Sequence, residues 1–424
     1  MTVFYRIPEP NPGRRPGWVR SLFTSLDDFK KLASDIIKVA GRDNFPSDKP
    51  HWHAEDFIGV LVYAWMRGVA PHHASEKLNA LAIEQGRFVP KVFADGRHSR
   101  YCPHQTAIND WLQLLDLKTA IKLSKAVFGA VLGLAKKRKL LPRVLVLEYD
   151  MTLCGYWGRR RDTFIKGTTQ VKGAKHAREY HAAVAHGWGV SLYVALDHVA
   201  LGQPKEDFLL DTARWLKLLG FKAKWALVDR GYYSYGVLAG MKTMGINVIM
   251  PAKNYPQLAS AKESYLLGQK GRVQVFWVAT GGKKGAKTRW ARCFLVLYSD
   301  GSHPLSVLRW AVRNEIASVA GASREILGLI TTTSPQGHGR SFPARISELY
   351  QMRWQVETAF REEKVKHCPW KSNLDATQFV DKLGRFALQD TWQLARKTDP
   401  RGDKLTLDLF RDEVVDAATC QMNA

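Results

Sequence analysis

The hydrophobic positions between Arg143 and Lys253 change period repeatedly, and each change marks a predicted element. RVLVLEYDMT (143–152) is a β-branched and apolar run, the pattern of a buried strand, and ends on Asp150. EYHAAVAHGWGVSLYVALDHVAL (179–201) reads as a β-hairpin turning at Gly187 to Gly189. Lys205 to Leu219 has helical periodicity, with Pro204 just before it and Gly220 just after. KWALVDRGYYS (224–234) is a second buried strand ending on Asp229, followed by a helix at Tyr235 to Met244 and a strand at NVIMPAK (247–253). This order predicts a layered mixed α/β sheet. No glycine-rich phosphate loop follows any strand, which argues against a doubly wound nucleotide-binding fold.

The flanking regions differ in texture. Residues 1–50 form an N-terminal arm that begins rich in Pro, Gly and Arg and continues into a short amphipathic helix around Leu26 to Val39, and residues 51–140 form a helical domain. Within it AEDFIGVLVYAWMR (54–67) is apolar nearly all round, a second helix follows from Ala74, a third follows Pro103, and a fourth spans Leu117 to Ala135. Their spacing allows a helix-turn-helix DNA reader with Arg97, His98 and Arg100 at its entry. Residues 254–330 read as a β-rich insertion, in which Trp277 and Trp290 are expected to pack within a small sheet, with base stacking as the alternative. The α/β sheet domain is thereby split into 141–253 and 331–372, and residues 373–424 are C-terminal helices.

Ile346 to Lys366 reads as one helix, free of Gly and Pro. At about 100° per residue, Tyr350, Arg353, Glu357 and Lys364 fall within an arc of about 60°. Leu349, Val356 and Phe360 flank that stripe on one side, Trp354 and Val365 on the other, so the charges lie inside the apolar face. Burying unpaired charges costs several kcal/mol, so the stripe predicts a polar cleft or an internal Arg–Glu pair in a core helix.

Asp150-x-Thr152, then Asp229-Arg230-Gly231-Tyr232-Tyr233-Ser234, then Tyr350-x-x-Arg353-x-x-x-Glu357 with Lys364 beyond, resembles the DDE transposases of prokaryotic insertion sequences, in the subgroup named for its Y-R-E-K helix. The resemblance spans Arg143 to Lys366 and implies an RNase H-like mixed sheet interrupted by a β-rich insertion. It implies hydrolysis at the element end, then attack of the freed 3′-hydroxyl on target DNA. Asp150, Asp229 and Glu357 are the implied catalytic and metal-holding acids, and Tyr350, Arg353, Lys364 and Arg230 the implied DNA contacts.

Composition agrees with a polyanionic partner. The formal charge is +24 with 13 His counted neutral, and basic clusters at 136–139, 159–161, 172–175 and 283–287 are interleaved with aromatics. The five cysteines include no C-x-x-C pair, so a disulfide framework or zinc ribbon is not expected and a reducing cytoplasm is; the resemblance implies a prokaryotic one, with association to the nucleoid on DNA. No stretch is long enough to span a bilayer. Three carboxylates without thiol or paired imidazole ligands select a hard cation, so two Mg²⁺ (or Mn²⁺) ions are expected. Glu148, on the same strand face as Asp150, is the rival acid, with Asp197 and Asp207 behind it. The expected partners are double-stranded DNA, as element ends and target, and a second copy when synapsed on DNA. A metal-dependent nuclease or resolvase, or a domesticated DNA-binding protein without catalysis, remains the alternative.

Overall fold

The computed structural model describes residues 52, 54–84, 86, 88–94, 96–113, 116–158, 163–168, 173–187, 189–200, 202–253, 255–280, 288–299, 303–337, 341–353, 375–398, 404 and 406–412. The chain divides into two units, Met1–Leu140 with Glu363–Ala424, and Leu141–Glu362.

The first unit is helical, with α1 (Ala54–Arg67), α2 (Pro71–Glu84), α3 (Gln105–Gln113), α4 (Leu117–Lys137) and the long helix Asp375–Thr398. Its core is aromatic and aliphatic: Phe57 of α1 stacks on Trp111 of α3 with ring centroids 5.0 Å apart. Trp65 donates from Nε1 to Asp381 Oδ1 at 3.0 Å, and Arg385 also reaches Asp381, so the buried indole N–H and carboxylate are both satisfied. A Cβ at Gly384 would lie 2.3 Å from the Trp65 ring, which is why the long helix carries glycine where it touches that indole. A three-residue connection joins α1 to α2, whereas α2 and α3 are joined by a long loop containing the Val92–His98 bridge. The loop bearing Arg97, His98 and Arg100 is therefore not the short turn of a helix-turn-helix.

The second unit is built on one mixed sheet that contains, among the described residues, nine strands. In chain order its first part is β1 (Val144–Tyr156), β2 (Ile165–Gly167), β3 (His176–Gly187), β4 (Val190–His198), helix α5 (Lys205–Leu218), β5 (Lys222–Val228), helix α6 (Tyr235–Thr243) and β6 (Asn247–Pro251). Across the sheet β4, β3, β1, β5 and β6 are neighbours, with β1 antiparallel to β3 and parallel to β5, and β5 parallel to β6. This is the RNase H-like order implied by the resemblance. The second part adds α7 (Pro256–Leu266), β7 (Val273–Ala279), β8 (Trp290–Ser299), α8 (Leu305–Arg313), α9 (Val319–Arg324), β9 (Ile326–Thr331) and α10 (Phe342–Gln351).

Three sequence expectations change. The strand through Asp150 does not end there but continues to Tyr156, because the long antiparallel partner β3 pairs with it from Val146 to Tyr156. The 254–330 segment is not a separate small sheet: β9 pairs antiparallel with β6, β8 with β9 and β7 with β8, so the central sheet is extended and the open edge of β6 is covered. Trp277 and Trp290 do not pack into it and are 44% and 58% exposed. Helix α10 lays Phe342, Ile346 and Tyr350 on Trp225, Leu227, Ile249, Val296 and Leu329, so strands from both parts share one hydrophobic core.

Candidate active site at the strand ends

The parallel ladder between β1 and β5 runs from Val144–Lys222 to Tyr149–Val228. Asp150 and Asp229 are each the next residue, so they emerge side by side where that pairing stops. Each carboxylate is fixed by backbone: Met151 N donates to Asp150 Oδ1 at 2.8 Å, and Gly231 N donates to Asp229 Oδ2 at 3.4 Å, Asp229 being the N-cap of a 3-10 turn at Arg230–Tyr232. Tyr232 ties the two together by donating from its hydroxyl to Asp150 O at 3.3 Å. Burial, reinforced by Asp150 and its other anionic neighbours, pushes that phenol far above its ordinary pKa, so it stays a neutral donor. Gly231 has a steric reason to be glycine, since a Cβ there would lie 1.7 Å from the Met151 methyl.

A cation lies between the two acids. Arg353 Nη1 is 3.9 Å from Asp150 Oδ1 and 3.8 Å from Asp229 Oδ1. The shared guanidinium offsets the repulsion between the two carboxylates. The three side chains remain reachable, at 12% exposure for Arg353, 18% for Asp150 and 35% for Asp229. Arg353 sits in a turn just past α10 with its guanidinium 5.7 Å from the Tyr350 ring. The helix expected over Ile346–Lys366 thus starts earlier, at Phe342, and its regular part is followed to Gln351. Glu357 and Lys364 lie outside the described residues.

Tyr350 is buried in the core cluster, and burial raises its pKa, so it braces Arg353 from below and offers little surface. Arg230 is exposed at the tip of the 3-10 turn. The rival acids have other tasks. Glu148 is sealed in the sheet with Oε2 3.1 Å from His186 Nε2, while Asp197 accepts from His198 N at 2.8 Å. Asp207 is exposed in the first turn of α5, where a negative charge complements the helix dipole.

Lys205 was not anticipated. Its ammonium donates to Gly231 O at 3.0 Å, and it lies 3.6 Å from Met151 Sδ, between the Asp150 and Asp229 segments. Burial lowers its pKa and neighbouring Lys253 adds to this, while Asp229 opposes the shift. One signal was present in the sequence: a lysine in the first turn of a helix opposes the dipole and needs an anionic or carbonyl partner elsewhere. Lys253, above the Tyr233 ring at 5.3 Å, extends the basic rim.

The donor set suits a hard divalent cation: two oxygen ligands converge, and a positive group already occupies the space between them. Among the described residues no helix is long and apolar enough to cross a membrane. No curated protein matches the chain in sequence. In overall fold it is distantly similar to a piggyBac transposase synaptic complex with hairpin DNA, at 12% identity and TM-score 0.49 over 98% of this chain and 81% of that one. It is more distantly similar to the Drosophila P element transposase strand transfer complex, at 11% identity and TM-score 0.26 over 88% and 71%. The transposase DDE domain family matches residues 162–379, more than half of the 424-residue chain and a span that includes the positions of Asp229, Arg353 and Glu357. By that match this chain belongs to the DDE transposases, enzymes of DNA transposition that work with divalent metal ions.

Proposed function

We propose that this enzyme is the transposase of an insertion sequence, cutting at the ends of its own element and joining the freed 3′-hydroxyl to target DNA. The observation that supports this reading most directly is the convergence of Asp150 and Asp229 on one Arg353 nitrogen. Asp150, Asp229 and Glu357 would hold two Mg²⁺ or Mn²⁺ ions. Bound there, such ions activate an attacking oxygen and stabilise a leaving one in phosphoryl transfer.

The chain's own residues supply orientation. Asp150 and Asp229 are aimed by the backbone N–H groups of Met151 and Gly231, so their placement needs no induced fit. With the carboxylates engaged by metal, the planar fork of Arg353 would be available to hold phosphate oxygens bidentately. Tyr350 supports that guanidinium through its ring, and Lys364, Arg230 and Lys205 add positive charge along the DNA backbone. An element has two ends to cut, so the working form on DNA is a dimer, with one active site per end. Its setting is the prokaryotic cytoplasm, on the nucleoid.

The test uses a labelled duplex carrying the terminal sequence of the element. Asp150→Asn, Asp229→Asn and Glu357→Gln are each expected to abolish Mg²⁺-dependent cleavage and joining while gel-shift affinity and melting temperature hold. Cleavage surviving in any of the three would overturn the triad; cleavage without joining by the wild-type chain would point to a nuclease.

A further inference from the structure

The helical unit holds a group of side chains that DNA cleavage does not use. His72 and Glu76, one turn apart on α2, and His104, at the entry to α3, bring one ligand atom each within 4.8 Å of the others. We infer that His72, Glu76 and His104 form a zinc site that ties α2 to the segment leading into α3.

The chemistry selects the ion. Two imidazoles and one carboxylate form a borderline nitrogen and oxygen set suited to Zn²⁺, in contrast to the all-oxygen set at the strand ends. Ligand atoms about 2.0–2.1 Å from a tetrahedral ion are roughly 3.4 Å apart, so small rotamer changes close the present arrangement. A water would complete the coordination.

Placement of the ligands is rigid, and this separates the group from a chance surface cluster. His72 and Glu76 share a helix face with Ser75 and Asn79 beside them. Those two polar residues are buried and fasten the incoming loop to α2: Ser75 Oγ donates to Pro103 O at 2.8 Å, and Asn79 Oδ1 accepts from Tyr101 N at 2.6 Å. His104 is the residue after that staple, so its position over α2 is set by main-chain contacts. Its Nδ1 accepts from Thr106 N at 3.3 Å and lies 3.2 Å from Thr106 Oγ1, contacts that fix the orientation of the ring. Arg100 holds Glu76 Oε1 at 2.6 Å, leaving the second carboxylate oxygen to the ion. Cys102 is not a fourth ligand, because its sulfur faces Ser75 and Asn79 inside the staple.

The experiment takes the untagged full-length chain, stripped with a chelator, and titrates Zn²⁺ against a chromogenic competitor. One tight equivalent per chain is expected. His72→Ala and His104→Ala should each weaken it by at least about 100-fold, more than loss of an outer partner costs, while Asp150→Asn and Asp229→Asn leave it unchanged. Unchanged affinity in folded His104→Ala, or loss only in the aspartate variants, would overturn the site. Co²⁺ added to the wild-type chain gives a readout that does not depend on any variant folding: visible bands of a four-coordinate nitrogen and oxygen site support it, and their absence, or a thiolate charge-transfer band, refutes it.

Discussion

Asp150 and Asp229 stand one residue past the last paired positions of β1 and β5 and keep 18% and 35% of their side chains exposed, whereas His181, His186 and His198 on β3 and β4 of the same sheet are sealed. His198 is the extreme case. Its ring lies between Phe164 and Tyr180, at centroid distances of 4.5 and 4.6 Å, and neither ring nitrogen has a protein hydrogen-bond partner. Burial, aided by the nearby Arg178 charge, lowers its pKa to about 3, so it is an aromatic spacer that never charges near neutrality. One sheet thus carries two kinds of polar residue. Where the ladder ends, acids are partly exposed and share one cation; within the ladder, titratable groups are held neutral or paired to preserve the packing that aims those acids.

The largest effect expected from this contrast is on chemistry alone. Asp150→Asn or Asp229→Asn should lower the cleavage rate by at least about a thousandfold, roughly 4 kcal/mol of barrier, with little change in melting temperature because neither carboxylate fills the core. Arg353→Ala should weaken DNA binding as well as cleavage, since it removes a bidentate phosphate partner. The sealed layer should show the reverse. A histidine with an unfolded pKa near 6.5 and a folded value of about 3 contributes stability that is complete above pH 6.5 and is lost as pH falls toward 3, because only the unfolded chain takes up the proton. His198→Phe should therefore flatten the fall in unfolding free energy between pH 6.5 and pH 5 by roughly 2 kcal/mol, with cleavage at neutral pH preserved. A variant as acid-sensitive as the wild type, measured by urea unfolding at both pH values, would show that His198 is not the buried neutral group its surroundings imply.

Much of the sheet was readable because buried strands and their bounding Pro and Gly leave local signals. Both aspartates were readable for the same reason, each closing an apolar run. The pairing of β9 with β6 was not, since antiparallel pairing between segments far apart in sequence has no local signature, and so the second part of the sheet looked like a separate insertion. Helical periodicity put Tyr350 and Arg353 on one stripe, but it could not reveal that Tyr350 would be buried and Arg353 would stand in a turn beyond the helix. Glu148 and Asp150 shared a strand face in the sequence reading. Only the position of His186 on the neighbouring strand separates a structural acid from an exposed one. The cluster of His72, Glu76 and His104 was hidden similarly, because its third member arrives through a long loop fastened by Ser75 and Asn79.

Lys205 tests the boundary between the two kinds of residue, with the smallest expected effect. It is half-buried like a structural lysine, and its bond to Gly231 O braces the turn that carries Asp229. It also stands beside Asp229 with Lys253 near enough to depress its pKa, which is the crowding of positive charge expected where a phosphate is to be received. The two roles predict different losses. If Lys205 meets phosphate, Lys205→Ala should lower affinity uniformly across sequences and reduce the slope of log K against log salt by about 1, with the melting temperature nearly unchanged. If it only braces the turn, melting should drop while the salt slope stays, because a lost hydrogen bond of about 1 kcal/mol does not alter the number of phosphates neutralised. Binding isotherms at several salt concentrations, beside a thermal melt of the same preparation, distinguish the two; an unchanged slope would remove Lys205 from the DNA-binding rim.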